Sequence, residues 1–139
     1  MPVFMRAYRQ GLRDVQRAVI LFGLARCEPL LDWSAVLVAA DWIGIPLRDL
    51  RAKGIGSVDP DTLQQMCSSD TSQSDLVRGY LAGFDRATSV VRDWQGRMNN
   101  PAAREALGVT LERLAEVRAG MIPDERGRIR TLRTTGYIL

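Results

Sequence analysis

The chain has 139 residues, 46% hydrophobic and 25% charged, with a formal net charge of +3, which suits one soluble globular domain (1–139) with a core that needs no staples. It contains no histidine, so the commonest general base, the usual nucleophile–imidazole pair and a frequent zinc ligand are all missing. The sixteen acids form no apolar-flanked pair tuned for acid–base work, and phosphate-cradling or nucleophile-elbow glycine motifs are absent, so the expectation is a protein that is not an enzyme and needs no cofactor.

The first predicted helix runs from about residue 3 to 26. Met5, Tyr8, Leu12, Val15, Val19 and Phe22 recur at alternating three- and four-residue steps, a heptad-like apolar seam. Arg6, Arg9, Arg13 and Arg17 form a cationic stripe along the same helix. That stripe could hold phosphates or an acidic protein partner, or be an ordinary solvated face. The apolar run 18–25 is closed by Arg26 and is too short to span a bilayer.

Glu28-Pro29 breaks the first helix. Asp32 or Ser34 can cap the second, whose body AVLVAADWI is apolar nearly all round and is expected to be well buried. Gly44 is expected to end it, and Pro46 to open a separate two-turn helix closed by Gly54. Asp59-Pro60 predicts a short helix through Met66, and the polar loop 68–75 separates two helical halves of one domain. A longer helix, about 73–98, carries Val77, Tyr80, Phe84, Ala87, Val91, Trp94 and Met98 at heptad-like spacing, with Gly79 and Gly83 on a neighbouring face where another helix could approach closely. Asn100-Pro101 starts the last helix, which ends at Gly120.

The final segment differs in kind. Residues 126–139 hold four arginines and no acid, whereas the rest of the chain has fifteen cations against sixteen acids. β-Branched and apolar residues around Thr134-Thr135-Gly136 predict a small β-hairpin or an extended arm. The expected architecture is therefore mainly α: a compact bundle of about five to six helices with that C-terminal hairpin or arm. One heptad seam is left for a homodimer.

The N-terminus lacks the basic, apolar, small-residue order of a secretory signal. Cys27 and Cys67 are too few and too far apart for a metal motif and suit reduced thiols, although pairing between them stays open. A cytoplasmic protein with no membrane span is expected, in a bacterial-type cytoplasm or an infected cell.

Two stretches carry resemblances. In VAADWIGIPLRDLRAKG (38–54), Ala40 precedes Gly44 by four, Ile43 and Ile45 flank the glycine, and Leu50 follows it by six. Over residues 36–54 this resembles the helix-turn-helix of excisionase-like and other bacterial or phage regulators. The resemblance implies that Leu47, Arg48, Arg51 and Lys53 are exposed, with the cations Arg48, Arg51 and Lys53 facing DNA. IRTLRTTGYIL (129–139) is similar to the wing hairpin of winged-helix response regulators, keeping Ile129, Thr131, Arg133, Gly136 and Tyr137. That likeness would put residues 109–120 in the place of a recognition helix and implies a basic hairpin, Arg133 included, able to touch DNA backbone or minor groove. Independently of it, Arg126, Arg128 and Arg130 alternate and would share one face of a strand, where they could meet DNA phosphates or instead pair with acidic residues such as those at 59–75. Together these features suggest a small helical DNA-binding regulator of phage or mobile-element type acting on double-stranded DNA. The alternative is a non-enzymatic helical adaptor or inhibitor that binds an acidic protein through the Arg6–Arg17 stripe or an exposed heptad face.

Overall fold

The computed structural model describes residues 2–25, 30–56 and 73–122. Among them are four helices and no strand: α1 (Pro2–Ala25), α2 (Ser34–Ala52), α3 (Gln73–Arg97) and α4 (Pro101–Ala119). The mainly helical class stands. The expected helix at 60–66, both cysteines, the C-terminal hairpin and its Arg126, Arg128, Arg130 and Arg133 lie outside the described residues.

The helices pack alternately up and down. α1 and α2 are antiparallel: Gly23 lies against Leu37, and farther along Gln16 Nε2 donates to the Ala40 carbonyl oxygen at 3.0 Å. α3 and α4 form a second antiparallel pair, with Gln95 Nε2 donating to the Arg104 carbonyl at one end and Arg118 pairing with Asp85 at 2.9 Å at the other. α2 and α3 each touch all three other helices, so α1 and α4 occupy opposite edges.

The closest packing joins α1 to α3, which run in the same direction. Gly79 lies on the Phe4 carbonyl and Gly83 on that of Tyr8, while Gly11 lies against the Tyr80 carbonyl and within 2.8 Å of the Phe84 nitrogen, all measured from where a Cβ would stand. Only glycine permits this backbone-to-backbone approach. The seam on α1 is also broader than the heptad suggests. Ala7, Gly11, Asp14 and Ala18 form a second buried stripe of mostly small residues beside Leu12, Val15, Val19 and Phe22.

Both heptad seams are consumed inside one chain. Leu12, Val15, Val19 and Phe22 of α1, and Val77, Tyr80, Phe84, Ala87 and Val91 of α3, all belong to one buried cluster. These seam residues, through which two copies were expected to pair, are thus covered within one chain.

A second correction concerns residues 36–54. Gly44 and Pro46 do not separate two helices; α2 passes through both without interruption. Pro46 has no N–H to give to the Trp42 carbonyl, a local loss. Against it stands one unbroken apolar stripe, Val36, Ala40, Ile43, Leu47 and Leu50, all buried. A turn at Gly44 would rotate Leu47 and Leu50 out of phase with Ile43 and strip them from the core, a cost of about 1.5–3 kcal/mol for each large side chain. These residues therefore do not form a helix-turn-helix, and Leu47, expected to be exposed, is core. Conversely, the apolar body of α2 is not buried all round as expected, for Val38, Trp42 and Ile45 reach solvent.

The helix ends follow their local chemistry. Asn100 accepts from the Ala102 N–H at 2.9 Å ahead of Pro101, as an N-cap should. At the end of α2, Gly54 takes φ +78° while Ile55 N–H reaches back to the Leu50 carbonyl and Gly54 N–H to that of Arg51, both at 3.0 Å. This is a Schellman closure, and its left-handed residue favours glycine.

Candidate functional site

The antiparallel pairing of α1 with α2 decides where the arginines go. Arg9 and Arg13 are one helical turn apart on α1, and Arg48 and Arg51 nearly one turn apart on α2. All four line one groove of about 580 Å³, together with Gln16, Asp41, Gly44 and the edge of Leu47. Gly44 matters by its size: a Cβ there would stand 3.2 Å from Gln16 Nε2 and crowd the groove floor.

The electrostatics agree with the geometry. Arg9 is half-buried, and its guanidinium is held below the ordinary arginine range first by burial and then by the positive charges of Arg13 and Arg51. A position where existing cations disfavour one another is, by the same field, favourable to an anion. Asp41 is the single acid on the wall. Among the described residues no ion pair engages Arg13, Arg48 or Arg51. The planar guanidinium groups of Arg13, Arg48 and Arg51 offer paired donors for carboxylate or phosphate oxygens, and Arg9 adds positive charge beside them.

The remaining expected site residues divide as follows. Arg6 and Arg17 are exposed on α1 and do not line the groove. Lys53 is exposed and lies 3.4 Å from Asp49. In the region compared with a recognition helix, Thr110 and Leu114 are buried, Glu112 and Glu116 are exposed, and Arg118 is paired with Asp85; this is a poor surface for DNA phosphates. Arg9, Arg13, Arg48 and Arg51, which the sequence offers as two separate sets, are therefore brought into one place.

Sequence reading missed two other groupings. One is a buried polar cluster between α1 and α3, in which the Asp14 carboxylate accepts from Gln10 Nε2 and from the Tyr80 hydroxyl, both at 2.7 Å. A carboxylate on a stripe of Ala7, Gly11 and Ala18 is the signal that would have found it. The other is the stacking of Trp42 on Trp94, with ring centroids 5.2 Å apart, which joins α2 to α3. No protein-family model, curated protein or solved structure matches the chain.

Proposed function

We propose that the protein is a non-enzymatic helical adaptor or inhibitor that binds an acidic segment of a partner protein in the groove between α1 and α2. The observation that carries this reading is the meeting of Arg9, Arg13, Arg48 and Arg51 on its walls. Neighbouring helices sit about 8–10 Å apart, so a groove between them admits a single extended or helical acidic segment. Major-groove reading of duplex DNA needs an element that projects, and α2, lying flat along α1 with its Leu47 side in the core, does not project.

The test is fluorescence anisotropy with a labelled glutamate-rich peptide and, separately, a labelled DNA duplex, each at low and at physiological salt. The peptide should bind at low salt, weaken as salt screens the cations, and lose about tenfold or more in affinity with Arg13→Gln and Arg51→Gln combined. A peptide that does not bind at low salt, or binds the double variant equally well, defeats the proposal. Duplex binding that exceeds peptide binding and depends on the same two arginines would replace it with the nucleic-acid reading.

A further inference from the structure

The arginine groove is not uniform along its length. Asp41, Gly44, Arg48 and Arg51 recur at three- and four-residue steps and so present one face of α2 to it. On the other wall, Gln16 reaches Ala40 and Gly44, and the antiparallel register sets Arg13 level with the turn before Arg48 and Arg9 level with Arg51. Arg9 feels the charges of Arg13 and Arg51, as that register requires. The walls therefore change sign in order: Asp41 at one end, the uncharged Gln16 and Gly44 next, and the four arginines beyond them. The helical rise puts Arg48 about 10 Å and Arg51 about 15 Å from Asp41 along the axis.

Asp41 is exposed, and among the described residues no ion pair engages it. Arg17 is level with it on α1 but lies off the groove. Its separation from the arginines exceeds the screening length of about 8 Å in physiological salt, so the two ends act as separate fields rather than cancelling. A segment that is acidic throughout would set one of its carboxylates against Asp41, and like charges brought face to face select against a partner.

We propose that Asp41 makes the groove selective for a bipolar partner segment, one that carries a lysine or arginine about 10–15 Å from its acids. The acids meet Arg13, Arg48 and Arg51, all exposed, and the base meets Asp41. The segment consequently has one favoured direction in the groove. In an extended chain the separation amounts to about three or four residues. This selectivity rests on the adaptor reading and names the kind of partner it takes.

The experiment compares two labelled peptides of one composition, richer in glutamate than in lysine and therefore of equal net charge. In one the lysines stand at one end, about four residues from the glutamates; in the other the two are interleaved. By fluorescence anisotropy the full chain should bind the segregated peptide about threefold or more tighter. Asp41→Asn, at an exposed position without an ion pair, should erase that preference while leaving the interleaved peptide bound at least as well. Direction is read separately on the ¹⁵N-labelled chain. A nitroxide on the basic end should broaden the Asp41 amide signal more than that of Arg51, and one on the acidic end the reverse. Equal affinities for the two peptides, a preference that survives Asp41→Asn, or the same broadening from either end overturns the inference and leaves the adaptor reading intact. Failure of both peptides and of the glutamate-rich one to bind at low salt overturns the two together.

Discussion

Asp14 has no exposed surface, and a buried carboxylate is tolerated only when hydrogen bonds replace its water. Gln10 and Tyr80 supply two of them. The Tyr80 contact also crosses from α3 to α1, so it fixes how the two helices are rotated as well as that they touch. Tyr80→Phe keeps the ring and removes one donor from the buried Asp14 carboxyl group. It should lower the unfolding free energy by about 1.5–3 kcal/mol, measured by urea denaturation with an unchanged slope. A loss below about 0.5 kcal/mol would mean that solvent or another group replaces the phenol without cost.

At the level of elements, the glycines of α3 make opposite predictions. A Cβ on Gly83 meets the Tyr8 carbonyl, whereas one on Gly96 meets nothing within 4 Å. Gly83→Ala should therefore force the backbones of α1 and α3 apart and cost about 1–3 kcal/mol. Gly96→Ala should gain up to about 1 kcal/mol from helix propensity alone. Thermal unfolding of the two variants checks the pair, and equal effects would show that the close approach is not what holds the seam.

The same elements show what could be read in advance. α1, α3 and α4 were legible because apolar periodicity and punctuation agreed, the Asn100-Pro101 start being the clearest case. α2 was not, because Gly44 and Pro46 are local stop and start signals. They were overruled by burial of Ile43, Leu47 and Leu50 on one continuous face, a tertiary fact. The arginines of the candidate site could each be named. Their meeting could not, since it depends on the pairing of α1 against α2. Trp94 belonged to the heptad seam by spacing, but at the end of α3 that seam runs out to the surface and meets Trp42.

For the molecule as a whole, the charge that Arg9 lends the groove is not switched near neutrality. Burial, Arg13 and Arg51 all disfavour the charged form of Arg9, so the native state is penalised wherever Arg9 is protonated. Relief comes only as pH rises through its lowered pKa, and arginine in proteins holds its proton far into the alkaline range. With no histidine in the chain, affinity for a fully ionised glutamate peptide should be flat from about pH 6 to 8.5. A change of more than about threefold across that window would mean that a group other than the arginines governs binding.

The glycine seam between α1 and α3 bears on how the protein comes into being. Its two halves, Gly11 on one side and Gly79 with Gly83 on the other, leave the ribosome at very different times. The first helical hairpin must therefore wait, with Leu12, Val15 and Asp14 uncovered, until α3 has been synthesised. Non-local pairing of this kind is slow compared with hairpin formation. The nascent N-terminal half, with that seam uncovered, is accordingly expected to aggregate more readily than the finished chain.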